Sequence, residues 1–264
     1  MEKITIAIVN WNTGKLLAEC LKSLLTLPQD ERGIIDTVVV VDNASSDHSL
    51  QYARQAVAPG DPVLFIEQGE NIGFARGNNI VLSQFAGGRH ILLLNPDTKV
   101  LPGSIRALSK ALERNPQAGI VGPKLLNADN SLQSSVRAFP SWLTLAFYLF
   151  KLNRLLPNSR AWRQYLQKDF DYSREQTTSQ VMGAAFLIRN ETLQAVGLLD
   201  EAFWIWFEEV DYCKRAADAG WQVLYTPTAK IIHYGGVSFG QWGGWKRYIE
   251  FMRSAAHYAG KHLI

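Results

Sequence analysis

The chain has 264 residues, 47% hydrophobic and 19% charged, an ordinary globular composition long enough for one large domain or two small ones. With 27 basic against 24 acidic residues the formal charge is only +3, which excludes a global polyanion-binding signature and points to no nucleic-acid partner. Cys20 and Cys213 are far apart and lack CxxC spacing, so a disulfide framework or zinc site is not expected and a reducing cytoplasm fits.

Met1-Glu2-Lys3 leads directly into Ile4 to Val9. That is too short for a signal-peptide core, and no apolar run reaches the roughly 18 residues of a membrane span. The expected location is cytoplasmic, with peripheral contact at the inner face of the cell membrane left open.

Ile4 to Val9 reads as a buried strand stopped by Asn10-Trp11-Asn12-Thr13-Gly14, after which Leu16, Leu17, Cys20, Leu21, Leu24 and Leu25 recur at helical spacing up to Pro28. Thr37 to Val41 is a second strand ending in Asp42-Asn43-Ala44-Ser45-Ser46-Asp47, with a short helix after it. Val63 to Ile66 is a third, followed by a loop and helix over Gly73 to Phe85, and Ile91 to Leu94 is a fourth. Alternation of this kind predicts an α/β fold with a mostly parallel, Rossmann-like sheet flanked by helices. A helix from Pro102 through Leu112 and a short strand at Gly119 to Gly122 follow. Beyond them the rhythm breaks into a mixed region of short strands around one helix, Val210 to Ala219. No linker separates the parts, so one domain over 1–264 is expected, with a donor half at 1–100 and an acceptor half at 101–264.

Neither GxGxxG after the first strand nor GxxxxGK[ST] occurs, so a bound diphosphate needs another counter-charge. A divalent cation held by acids at strand ends is the natural substitute. Asp97, in the Asn95-Pro96-Asp97-Thr98 turn after the fourth strand, is the first candidate ligand, and His233 after Ile231-Ile232 is the second. Asp42, with Asn10 at the neighbouring strand end, is placed to grip the imide of a uracil- or thymine-like base. In the loop Asn71-Ile72-Gly73-Phe74-Ala75-Arg76-Gly77-Asn78-Asn79, the glycines allow close backbone approach, while Arg76 and Asn78 are candidate phosphate partners. Glu208, Glu209 and Asp211 open a helix behind Trp204-Ile205-Trp206-Phe207, where an apolar wall raises a carboxyl pKa toward that of a general base. Each of these also has a structural reading as a turn, a helix cap or a packed core histidine.

Taken in order, these segments resemble glycosyltransferase family 2, and within it the bacterial rhamnosyltransferase-like branch. The resemblance covers about residues 4 to 240. It rests on Val9-Asn10-Trp11-Asn12, Asp42 to Asp47, Asn71 to Asn79, Leu94-Asn95-Pro96-Asp97, Met182-Gly183-Ala184, Phe207-Glu208-Glu209-Val210-Asp211 and His233. It implies a GT-A fold, a dTDP- or UDP-sugar donor, Mg²⁺ or Mn²⁺, a glycan or polyprenyl-linked acceptor and inversion at the anomeric carbon.

Carried over, the resemblance gives donor contacts to Val9, Asn10, Asn12, Asp42, Asn71, Gly73, Arg76, Asn78 and Asn95, and metal binding to Asp97 and His233. It makes Glu209 the base, with Glu208 or Asp211 as substitutes. Asn95 stands where many members have the first Asp of a DXD-like motif, and Glu209 where the base is usually Asp.

Residues 142–168 interleave aromatics with Lys151, Arg154, Arg160, Arg163 and Lys168. Such a segment suits either an interfacial position on a membrane or a helix buried on the sheet. Two rival functions are a sugar-1-phosphate nucleotidyltransferase, for which the first loop lacks the glycine-rich basic sequence, and a non-catalytic nucleotide-sugar or glycan-binding module.

Overall fold

A computed structural model describes residues 2–235 and 243–264. In chain order it begins β1 (Ile4–Asn10), α1 (Leu16–Leu25), α2 (Gln29–Arg32), β2 (Ile35–Asp42), α3 (Ser49–Gln55), β3 (Val63–Glu67), α4 (Phe74–Gln84) and β4 (His90–Leu94). The middle of the chain forms β5 (Thr98–Val100), α5 (Ser104–Arg114), β6 (Ala118–Leu126), β7 (Leu132–Gln133), β8 (Val136–Arg137), α6 (Trp142–Leu149), α7 (Leu152–Leu155) and α8 (Arg160–Tyr165). The remainder is β9 (Gln176–Thr178), β10 (Gln180–Val181), β11 (Ala185–Ile188), α9 (Asn190–Val196), α10 (Glu208–Asp218), β12 (Gln222–His233) and α11 (Gly244–His262).

The main sheet has the order β3-β2-β1-β4-β11-β6-β12-β5. The first four strands are parallel, as the sequence predicts, and β11 enters antiparallel between β4 and β6. Side chains alternate across the sheet. Ile4, Ile6, Ile8, Val38, Val40 and Leu92 pack with α1 and α5 on one face. Ala7, Val9, Val39, Val41, Ile91 and Leu93 pack with α4 and α10 on the other. Burial on both faces is why these strands read as unbroken apolar runs. Helix α4 lies close on β1, since a Cβ on Gly77 would stand 2.9 Å from the Val9 methyls.

The acceptor-side strands depart from expectation. The short strand expected at Gly119 extends over Ala118–Leu126, and Gln222–His233 forms one twelve-residue strand paired in parallel with it. Helix α11 was not anticipated. It packs Ala255, Tyr258 and Ala259 against Phe203, Phe207 and Val210, forming a third apolar cluster with Leu145 of α6. Helix α6 is itself two-sided, with Leu145 and Phe147 buried while Trp142, Leu143 and Phe150 just beyond it stay exposed. Among the described residues no helix is long and apolar enough to cross a membrane.

Candidate active site

The carboxyl ends of the parallel strands open into a cavity of about 350 Å³, where open α/β sheets bind ligands. Strand pairing assembles one side of it. Thr98 of β5 lies opposite His233 of β12, and the Tyr234 N–H donates to the Asp97 carbonyl at 3.0 Å. This brings Asp97 Oδ1 to 3.4 Å from His233 Nε2 although the two are far apart in sequence. On the other ring nitrogen, His233 Nδ1 donates to Gln133 Oε1 at 2.8 Å, because Gln133 Nε2 already donates to Asn127 Oδ1 and the His233 carbonyl. Nε2 is thereby directed at Asp97, in the way a metal-binding histidine is usually oriented from behind.

Pairing of β4 with β11 builds the floor. The ladder continues beyond Leu94, the Asn95 N–H donating to the Ala184 carbonyl at 2.9 Å, so Asn95 and Asp97 face Met182-Gly183-Ala184. The opposite wall is Trp204-Ile205-Trp206, followed by the first residues of α10. Trp206 and Phe207 both have positive φ, 62° and 69°, a costly conformation for bulky residues that is typical of functional sites. This turn starts α10 so that Glu208 and Glu209 border the cavity. Gly73 links the wall to the donor side. At φ 89°, a Cβ there would stand 2.7 Å from the Trp204 ring, while the Phe74 N–H donates to the Trp204 carbonyl at 2.9 Å.

Four buried side-chain oxygens bordering this cavity have no hydrogen-bond partner in the protein: Asn43 Oδ1, Asn95 Oδ1, Glu208 Oε2 and Glu209 Oε2. Buried polar atoms are normally satisfied, so four unpartnered oxygens around one hollow suit a polar ligand. The two glutamates differ in environment. Burial and the adjacent Glu209 charge push the Glu208 carboxyl well above its ordinary value. Burial also raises Glu209, but N–H groups of Glu209, Val210 and Gly183 partly offset it. Neighbouring carboxyls in unequal surroundings separate into an ionised and a protonated member.

Of the residues singled out from sequence, Val9, Asn71, Gly73, Asn95, Asp97, Glu208, Glu209 and His233 border the cavity. The others lie outside that lining. Asn10 and Asp42 are register partners on β1 and β2 and face each other, Asn10 Nδ2 donating to Asp42 Oδ1 at 2.6 Å. Asp42 also accepts from the Ser45 N–H and hydroxyl, and Asn10 Oδ1 accepts from Thr13, so this pair braces the loop. Asn12 caps the same loop, its Oδ1 accepting from the Ser46 N–H at 2.8 Å. Arg76 lies on the surface and pairs with Glu201 at 3.1 Å. Asn78 is buried in α4 and donates to the Phe74 carbonyl.

Asp211 is the clearest correction. It is fully buried, outside the cavity lining, and paired with Arg215, Lys261 and His262 at 2.7–2.8 Å. Burial alone would raise its carboxyl, but bonds from Lys261, His262 and Arg215 outweigh that and hold it below its usual value. It ties α10 to α11. Asp211→Ala removes the buried carboxylate shared by Arg215, Lys261 and His262 and is expected to cost about 3 kcal/mol of stability, at the low end for a broken buried pair because Arg215 and Lys261 are partly exposed and keep other partners. Thermal unfolding measures this, and per-molecule turnover of the folded fraction should be unchanged. Sequence reasoning gave no role to Trp11, Asn43 or Phe74, which also line the site. Asn43 directly follows a strand-end acid, which was a usable signal.

No group of three or more His, Cys, Asp or Glu side chains that could hold a metal ion occurs among the described residues. The donor set nonetheless fits a cation shared with a ligand. Asp97 and His233 Nε2 converge, Asn95 in the same lining has an unpartnered Oδ1, and the described lining contains carboxyl groups but no Lys or Arg to neutralise a diphosphate.

Comparison with known proteins decides the family. A model of "Glycosyltransferase like family 2" matches residues 2–246. The chain is a member of glycosyltransferase family 2. This glycosyltransferase is 29% identical over 248 residues to the N-acetylglucosaminyl-diphospho-decaprenol L-rhamnosyltransferase of Mycobacterium tuberculosis, covering 90% of the chain and 78% of the relative. It is 24% identical over 201 residues to the dTDP-rhamnosyl transferase RfbF of Shigella flexneri, covering 74% and 59%. Its GT-A fold is shared with GalNAc-T7, crystallised with UDP, GalNAc and Mn²⁺, at a TM-score of 0.66 and 14% identity, and with Staphylococcus aureus TarS at 0.58 and 15%. The chain covers 43% and 62% of those two structures while they cover 88% and 90% of it. Sugar transfer in polysaccharide synthesis, by a rhamnosyltransferase-like member, is therefore its activity class.

Proposed function

We propose that this transferase moves rhamnose from a dTDP- or UDP-linked donor to a polyprenyl-linked glycan acceptor, with inversion, at the inner face of the cell membrane. One observation carries the reading: Asp97, His233 and Glu209, from three distant segments, border a single cavity at the strand ends. The names of the relatives support the sugar and the lipid-linked acceptor. Residues 1–100 are assigned the donor side and 101–264 the acceptor side.

The chemistry is one displacement. Glu209 takes the proton of the acceptor hydroxyl as that oxygen bonds to the anomeric carbon, and the bond to the diphosphate breaks with its electron pair on the departing oxygen. Attack from the side opposite the leaving group gives inversion. Trp204 and Trp206 screen the site from water, and Glu208, whose carboxyl burial pushes well above its ordinary value, borders the cavity beside Glu209. Mg²⁺ or Mn²⁺, when bound, would be held by Asp97 and His233 and would neutralise charge on the diphosphate.

The test pairs dTDP-rhamnose, UDP-sugars and GDP-sugars with a polyprenyl-diphosphate-linked N-acetylglucosamine, with and without Mn²⁺. Rhamnose transfer from a dTDP donor, with inverted configuration by NMR of the product, is expected. A retained configuration, or transfer only from other sugars, rejects the respective part of the reading. Donors that bind should also raise the unfolding temperature.

A further inference from the structure

Helix α6 and the turn after it expose Trp142, Leu143, Leu149 and Phe150, and α7 with its following residue exposes Leu155 and Leu156. At the start of α11, Trp245 is 74% exposed and Ile249 also faces solvent. These make up eight of the twelve exposed large hydrophobic side chains among the described residues, a concentration that isolated surface leucines do not produce. The segments are contiguous. The Tyr148 and Phe251 rings lie 4.9 Å apart, Lys151 Nζ sits 5.9 Å from the Tyr248 ring, and the Trp142 indole donates to the Leu263 carbonyl at 3.0 Å. Between α6 and α8 a crevice of about 200 Å³, lined by Phe139, Leu143, Phe147 and Trp162 among others, adds an apolar hollow beside this face.

Charge selects the occupant. Residues 142–168 and 243–249 carry Lys151, Arg154, Arg160, Arg163, Lys168, Lys246 and Arg247, and the acids that directly follow them, Asp169 and Glu250, pair with Arg163 and Arg253. We infer that α6, α7 and the first turns of α11 together form one face that seats on an anionic lipid bilayer. Apolar and aromatic side chains enter the headgroup layer, and lysines and arginines meet lipid phosphates. A second copy of the chain is a poor occupant, because a two-fold contact would set this cationic face against itself. The inference rests on the proposed lipid-linked acceptor and adds a route for it. Phe251 contacts Trp206 and Phe207 at ring distances of 6.1 and 5.4 Å, and the Ser254 hydroxyl donates to the Ile205 carbonyl at 2.7 Å. The bilayer-facing helix therefore supports the wall of the cavity, and an acceptor anchored in the membrane is delivered to the side where Glu209 stands.

Flotation with vesicles of phosphatidylcholine alone, and of phosphatidylcholine mixed with phosphatidylglycerol, tests it on the full chain. Binding to the mixed vesicles, weakened by salt, is expected. The triple variant Phe150→Ser, Leu155→Ser, Trp245→Ser should partition at least about tenfold more weakly. Lys151→Glu with Arg154→Glu should lose the preference for phosphatidylglycerol, each cation near an anionic surface being worth on the order of fivefold. All of these residues are surface-lying, and transfer to a short-chain soluble acceptor should be retained, which shows that the variants fold. Wild-type protein that stays unbound, or a triple variant that floats as well as wild type, overturns the inference. So does a triple variant that changes a dimer into a monomer by sedimentation, since the face is then a self-interface. Failure of the transferase reading appears separately, as absent transfer to the soluble acceptor with flotation intact.

Discussion

Replacing Glu209 by glutamine is expected to lower kcat by about 10²–10⁴ while donor binding and the unfolding temperature stay near wild type. The amide keeps the shape of the side chain and removes the site that accepts the acceptor's proton. The assignment to Glu209 rather than Glu208 follows from their surroundings. Both are buried at the N-terminus of α10, but Glu208 is pushed up by burial and by the charge on Glu209, whereas Glu209 is raised by burial and drawn back by three backbone N–H groups. Glu209 therefore ionises first as pH rises. Because its pKa still lies above the ordinary carboxylate value, the active, deprotonated form is lost as pH falls through that raised value. The acid limb of kcat/KM should accordingly lie at higher pH than for an exposed glutamate. A Glu209→Gln enzyme with near-native turnover, or a wild-type acid limb below the usual carboxylate range, removes Glu209 from the role.

How much of this was legible in the sequence depends on how far apart the interacting residues lie. Strands β1 to β4 were plain because each is buried on both faces, so Val38 to Val41 and Ile91 to Leu94 are unbroken apolar runs. The pairing of β5 with β12 was not, since nothing local to Thr98 announces His233. Strand β12 itself is disguised by Thr226, Pro227, Thr228 and Lys230, where the register with β6 shifts. Asn10 and Asp42 show the limit of a local reading. Their polarity at strand ends was visible, but only the register reveals that they face each other. Asp211 was over-read for a related reason: three acids at a helix start look equivalent, yet Asp211 lies about 200° around α10 from Glu209, and only α11 shows what it meets there. That helix left its own signal in Tyr248, Phe251, Ala255, Tyr258 and His262, spaced three and four apart.

Asp97→Ala is expected to lower turnover by about two or more orders of magnitude, because on the proposed reading it removes the carboxylate beside His233 in a lining whose described residues include no Lys or Arg. A loss of that size alone would not distinguish a metal ligand from a residue that merely orders the turn, so the decisive readout is the cation itself. In the wild type, Mn²⁺ together with dTDP or UDP should raise the unfolding temperature more than either alone, and in Asp97→Ala the added effect of Mn²⁺ should vanish. Gln133 provides the control. It lies outside the cavity lining and holds His233 at the Nδ1 and at the carbonyl, which keeps Nε2 directed at Asp97. Gln133→Leu should therefore weaken Mn²⁺ binding by about 10–100-fold and leave kcat at saturating Mn²⁺ near wild type. If Asp97→Ala keeps the Mn²⁺ response, the strand pairing that joins residues 97 and 233 serves the fold and not the cation. The diphosphate would then need a counter-charge from outside the described lining.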